Sequence, residues 1–282
     1  MNVVYASPDR SWEMVISRLC HSLHRAGDDV DTGHWQSVTD VPHTQTIELT
    51  NTILHYGRIP STVQALQDHL RPSQPWAEAQ FKERVSGDGL NPGDTYHMWP
   101  YYKGNVPNHQ DESDDHKFSH TYMERFWPND SEEYSYSAGP AVSRRPGIRF
   151  GWGDYDDVLQ LLTSQPYTRQ AYLPIWFPED TGAHHGERVP CSLGYHFMIR
   201  NGELHVTYFI RSCDLFRHFT DDVYLASRLV LDIIDRIKPG VVPGYLVMHM
   251  SSLHVFASER SVLYRRGEEF REATSGIQGY AA

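Results

Sequence analysis

Apolar side chains recur at Trp12, Val15, Ile16, Leu19, Cys20 and Leu23, the three-and-four spacing of one helical face, and Ala26-Gly27 closes the run. This predicts an amphipathic first helix. In the second half of the chain the period shortens. Gln170 to Phe177, Gly194 to Arg200 and Glu203 to Ile210 read as strands, and Asn201-Gly202 between the last two reads as a hairpin turn that needs positive φ. The sheet then presents Cys191 and Arg211 near the two ends of that hairpin.

After the hairpin, Thr220-Asp221-Asp222 supplies an N-cap and an acidic first turn for a second long helix. Its apolar stripe is Val223, Ala226, Leu229, Val230, Ile233, Ile234 and Ile237, and Lys238-Pro239-Gly240 stops it. A further strand from Gly244 to Met250 leads into SSLHVF. Residues 86 to 117 are rich in Gly, Pro, Asn and acids and are expected to run over the surface as a long excursion. The mixture predicts an α+β fold in one domain spanning residues 1 to 282.

Composition narrows the chemistry. Thirty-six Asp and Glu stand against 25 Lys and Arg, for a net charge of −11, which argues against a nucleic-acid polymer as partner. A small anion held by a few local arginines is compatible with that balance. Three cysteines, an odd and sparse set, suit a reducing compartment better than a disulfide framework. With no apolar run of 18 residues and no basic, apolar leader at the start, the expected setting is cytoplasmic, without a membrane. The histidines show no metal-ligand spacing, so no metal is expected.

Cys191 follows a proline, and a thiol becomes a nucleophile where a cation stabilises its thiolate; Arg211 is the cation the hairpin supplies. Arg211-Ser212 at a strand end offers a guanidinium fork and a hydroxyl, a grip for phosphate. Cys213 lacks such support and reads as a packing residue.

Taken together these residues are more specific. Pro190-Cys191, nineteen further residues, then Arg211-Ser212-Cys213-Asp214, with Asp222 eight positions beyond, resembles the thymidylate synthase superfamily. TRQAYLPIWFP resembles the family's SRR segment, with Arg169 at the first arginine, Gln170 in place of the second, and Trp176 and Pro178 retained. SSLHVF resembles its sugar-binding segment, with His254 retained and Phe256 in place of tyrosine. The resemblance is clear over residues 165 to 257. Upstream it is weaker: Glu78 in WAEAQF, or another acid such as Glu83, stands for the catalytic glutamate, and Trp99 and Tyr122 for the active-site tryptophan and tyrosine. DVDTGH resembles the phosphate loop but has Asp31 where its arginine belongs.

The resemblance implies a thymidylate synthase-like fold whose mixed sheet forms a dimer interface, with helices packed on the sheet's other face. It also implies a pyrimidine nucleoside monophosphate as substrate and 5,10-methylenetetrahydrofolate as co-substrate. Cys191 would add to C6 of the base, and Glu78 and Tyr122 would position water. Arg211, Ser212, His254 and the partner's Arg169 would hold the nucleotide, and Asp214 and Trp99 the folate. Asp222 replaces the family's asparagine. A carboxyl can accept from cytosine N4 and, protonated, donate to N3, whereas a carboxylate repels uracil O4. That substitution, with the short ending after His254, resembles the cytidylate (dCMP or CMP) 5-hydroxymethylase branch. Reductive methylation of a pyrimidine nucleotide is the alternative activity, and a non-catalytic nucleotide-binding dimer the alternative of another class.

Overall fold

A computed structural model describes residues 2–32, 45–101, 118, 120–128, 153–182, 189–237 and 239–275. The predicted surface excursion is only partly within this set; residues 102–117 lie outside it, as does the ending from 276. Within 86–101 the chain is not loosely draped. Asn91 exchanges hydrogen bonds with the backbone of Phe118 (2.8 Å each way), and Thr95 is buried against Gln80 and Glu83.

The sheet contains seven strands: β1 (Asn2–Ala6), β2 (Asp28–Asp31), β3 (Gln45–Tyr56), β4 (Tyr172–Pro174), β5 (Ser192–Arg200), β6 (Glu203–Asp214) and β7 (Val242–Phe256). Their order is β1-β3-β7-β6-β5-β4, with β2 paired to β3 off this path. Two pairings, β1 with β3 and β6 with β7, are parallel and the others antiparallel, so the sheet is mixed. The Asn201-Gly202 turn is as predicted, with φ of 52° and 77°, the positive values that a tight hairpin imposes.

Alternation along the strands decides the layers. Leu246, Met248 and Met250 on β7, Val206, Tyr208 and Ile210 on β6, and Tyr195, Phe197 and Ile199 on β5 are buried. The helices are α1 (Trp12–Ala26), α2 (Val63–Leu70), α3 (Trp76–Arg84), α4 (Tyr122–Phe126), α5 (Tyr155–Ser164), α6 (Pro178–Gly182), α7 (Phe219–Arg236) and α8 (Arg260–Thr274); the β6 and β7 residues lie beneath α7, and α1 covers β1 and β3. Residues of opposite parity, such as His196, Phe209, Tyr245 and His249, keep partial exposure, and Tyr5 is 57% exposed. One core cluster runs from Val4 to Leu263.

The first helix matches its predicted stripe. The predicted 220 helix starts earlier, with His218 at the N-cap and Thr220, Asp221 and Asp222 inside the first turn, because Asp214 closes the preceding turn instead. β7 runs through SSLHVF without a break, longer than predicted, since β3 pairs with it over almost its whole length. β4 is shorter than predicted: Ile175 and Trp176 leave the ladder to donate jointly to the Leu193 carbonyl (3.1 Å each).

Candidate active site

Cys191 sits at the mouth of the β5–β6 hairpin, half-buried, with its carbonyl accepting from the Arg211 N–H at 2.9 Å. The Arg211 guanidinium turns toward the same loop, its Nε donating to the Pro190 carbonyl (2.8 Å) and one terminal nitrogen to that of Val189 (3.1 Å). Arg211 therefore holds the chain leading into Cys191, and its guanidinium lies 5.6 Å from the Trp176 ring.

Directly after Cys191, β5 is irregular: Ser192 pairs with Ile210 but Gly194 with Phe209, which leaves Leu193 as an extra residue. Such a bulge reverses the facing of everything before it. Without it Ser192 would share the outer face with Gly194 and His196; with it Ser192 points inward beside Tyr208. Its hydroxyl lies 2.6 Å from the Tyr208 hydroxyl and 3.0 Å from that of Tyr122. Tyr195 stacks on Tyr208, with ring centroids 4.5 Å apart.

Tyr122 opens α4 (Tyr122–Phe126), a short helix fixed by a capping box in which Thr121 and Glu124 satisfy each other's backbone N–H groups. The Arg84 guanidinium lies over the Tyr122 ring at 4.1 Å. Arg84 ends α3 (Trp76–Arg84), is only 6% exposed, and its Nε finds no acceptor among the described residues. It is a buried cation with spare donors.

Asp222 completes the group. It is surrounded by protein yet keeps some accessible surface. Cys213 donates to its Oδ2 at 3.8 Å. Burial pushes Asp222 up to about 7, opposed by the positive charge of Arg84. Burial likewise holds the Tyr122 hydroxyl and the Cys213 thiol in their protonated forms.

The remaining predicted residues fall into three places. Glu78 is not brought to Cys191: its carboxylate takes a two-pronged bond from Arg228 (3.0 Å each) and another from the Tyr224 hydroxyl (2.6 Å), and this pairing draws it below the usual carboxylate range despite burial. Tyr224 and Arg228 lie on the side of α7 turned away from Asp222, two and six residues on at about 100° each. Glu83 is also engaged elsewhere, by Thr95. Asp214 accepts from the N–H groups of Phe216 and Arg217 and pairs with the Arg217 guanidinium at 2.8 Å, while His254, buried and held neutral by desolvation, faces Asp214 across β6–β7. Trp99 stacks on His218 (5.1 Å, 15°) with its buried indole N–H lacking an acceptor among the described residues. Ser212 lies opposite Ser252, and Arg169 is exposed at the sheet edge. Asp31 closes β2, beside the undescribed 33–44.

Sequence reasoning missed Arg84, Ser192 and Tyr208 and undervalued Cys213. Arg84 had a signal, since it falls on the buried stripe of its helix with Ala77, Gln80 and Phe81, where a cation needs a reason. Ser192 had none, because its facing depends on the bulge. Among the described residues no group of three or more metal-type ligands occurs, and no helix is long and apolar enough to cross a membrane.

A mixed sheet carrying a thiol at a hairpin mouth, roofed by a helix whose first turn supplies a buried acid, defines the fold class. The thermostable thymidylate synthase A from Bacillus subtilis shares it, with a TM-score of 0.61 at 14% identity over 92% of this chain and 84% of that one. The sequence model described as "Thymidylate synthase" matches residues 122–268, and the chain belongs to that family. Similar proteins include one described as "Putative thymidylate synthase" from Methanothermobacter thermautotrophicus, 28% identical over 153 residues, covering 52% of this chain and 61% of that protein. Another of the same description, from Methanosarcina acetivorans, is 32% identical over 100 residues, covering 35% and 44%. The matches thus span less than two thirds of these relatives.

Proposed function

We propose that the protein transfers a one-carbon unit from 5,10-methylenetetrahydrofolate to C5 of a cytidine monophosphate and releases the 5-hydroxymethyl nucleotide. The observation that carries this reading is Asp222, a buried carboxyl poised near neutrality that accepts from Cys213 and interacts with Tyr122. When the Cys191 thiolate adds to C6, electron density moves toward C5 and N3 and makes N3 basic. A protonated carboxyl can meet N3 with its O–H and the N4 amine with its carbonyl oxygen. An amide hydrogen-bonds in the same way but has no proton to give.

In this reading Arg84 supplies the positive charge that favours the thiolate and the electron-rich adduct. C5 then attacks the folate-borne carbon, C5 gives up its proton as tetrahydrofolate departs to leave an exocyclic methylene, water held by Tyr122 adds to that methylene, and re-formation of the C5–C6 double bond expels Cys191. Glu78, committed to Arg228 and Tyr224, takes a structural place. Arg211 and Ser212 would receive the phosphate, His254 the sugar, and Asp214 with Trp99 the folate. A homodimer built on the partly exposed sheet face would let Arg169 reach the partner's phosphate. Its free position at the edge of β4 supports that role.

The relatives' descriptions favour a second reading, reductive methylation of the thymidylate synthase type. Incubation with methylenetetrahydrofolate and CMP, dCMP or dUMP separates the two. The proposal expects a hydroxymethyl mass increment on a cytidylate without dihydrofolate; a methyl increment with stoichiometric dihydrofolate sinks it.

A further inference from the structure

Asn51 has a φ of 52°, and there β3 changes which apolar residues it buries: Ile47 and Leu49 before it, Leu54 and Tyr56 after it. β7 changes in step, burying Leu246, Met248 and Met250 before Ser251 but Leu253 and Val255 after it. The reversal turns Glu48, Ser252 and His254 onto one face, which they share with Asp214 on β6. Within that face the Ser252 hydroxyl donates to Glu48 Oε2 at 2.6 Å and lies 3.4 Å from His254 Nδ1.

Counting donors fixes the direction of this chain. A serine hydroxyl has one proton, and Ser252 spends it on the Glu48 carboxylate, so toward His254 it offers only lone pairs. The 3.4 Å contact is then a hydrogen bond only when Nδ1 carries the imidazole proton. Burial, helped by Arg217 and Arg211 and opposed by Asp214 and Glu48, holds His254 neutral, with a single ring N–H. Nε2 is left bare. Asp214, opposite His254 in register, does not compete for the ring: its Oδ1 accepts from the N–H groups of Phe216 and Arg217 and its Oδ2 from the Arg217 guanidinium. Among the described residues no cation pairs with Glu48 and no hydrogen bond reaches Nε2.

We infer that Glu48 and Ser252 are positioning residues that lock His254 in its Nδ1–H tautomer, so that Nε2 accepts a hydrogen bond from a hydroxyl of the nucleotide's sugar. The place of His254 at the sugar rests on the function proposed above; the tautomer does not. An acceptor at this point asks for a donor on the ligand, so a pentose with that hydroxyl free fits, and one whose hydroxyl is esterified or replaced leaves a buried nitrogen unpaired. Glu48 thus shapes substrate choice without touching the substrate.

The test reads the tautomer directly. In the full chain labelled with ¹⁵N histidine, long-range ¹H–¹⁵N spectra should show a protonated Nδ1 and a bare Nε2 for His254, its signals assigned by their loss in His254→Gln. Glu48→Ala frees the Ser252 proton to point at Nδ1, and Ser252→Ala removes the acceptor, so both should move the ring toward the Nε2–H form. Ser252→Thr should keep the wild-type pattern, with thermal melting to verify that each variant folds. A wild-type ring protonated on Nε2, or an Nδ1–H pattern unchanged in both alanine variants, would overturn the inference. Binding is then measured for CMP and for the two analogues that carry fluorine in place of the 2′ or the 3′ hydroxyl, since fluorine cannot donate. One analogue should bind wild type about five- to tenfold more weakly than CMP, and that penalty should shrink in Ser252→Ala. Equal binding of all three would overturn the sugar contact while the tautomer lock stands. Binding of none would sink the nucleotide reading, and the spectra alone would then decide the lock.

Discussion

Replacing Asp222 by asparagine keeps the side chain's shape and removes its titration. In the fold the carboxyl is raised from its ordinary 3.8 to about 7, first by burial, with Arg84 pulling the other way. Between those two values the native state holds a proton that the unfolded chain has lost, so Asp222 makes stability fall as pH rises. At about 1.4 kcal/mol per pH unit the whole effect is at most about 4 kcal/mol, and somewhat less because the group keeps some accessible surface. The full contribution is present below about pH 4 and gone above about pH 7. Urea unfolding of wild type and Asp222→Asn from pH 4 to 8 isolates the term, since other titrations cancel in the difference. The asparagine variant should gain on wild type steadily across this window. Parallel curves would refute the claim that Asp222 is a buried acid poised near neutrality. The same substitution should move the ratio of kcat/KM toward uridylate by about 1–3 kcal/mol, roughly five- to 150-fold, because the amide cannot protonate cytosine N3.

Three further outcomes follow. Arg84→Met should leave the melting temperature unchanged or raise it, since a buried guanidinium whose Nε has no acceptor among the described residues is removed, yet shift the Asp222 infrared titration upward and slow C5 exchange. Glu78→Gln should cost about 2 kcal/mol in unfolding experiments near neutral pH, with Cys191 alkylation unchanged; because pairing lowers this carboxyl, the loss should shrink as pH falls below the ordinary glutamate range. Mixing inactive Cys191→Ala and Arg169→Ala chains should restore about a quarter of wild-type turnover, as random pairing gives half the dimers one intact site; no recovery would remove Arg169 from the partner's site.

Much of the framework was readable from the sequence because the relevant signals are local. The α1 stripe, the Asn201-Gly202 turn and the apolar alternation of β5 and β6 depend on neighbours a few residues away, and the spacing of Cys191, Arg211, Asp214 and Asp222 carried the family. What was not readable depends on long-range packing. The Leu193 bulge turns Ser192 inward through the demands of Ile175 and Trp176 on one carbonyl. Glu78 leaves the site because Arg228, 150 residues on, captures it. Arg84 joins the site because α3 packs with α4 and α7, and although its spacing from Ala77, Gln80 and Phe81 marks it as inward-facing, nothing local says which partners it meets.

The central claim is that Cys191 attacks C6 of a cytidylate whose N3 edge is read by Asp222. Tritium release from C5-labelled CMP, dCMP and dUMP in the presence of methylenetetrahydrofolate tests it directly. Release from a cytidylate, abolished in Cys191→Ala and without dihydrofolate, is the predicted result. Release from dUMP alone, with dihydrofolate formed in step, would contradict it.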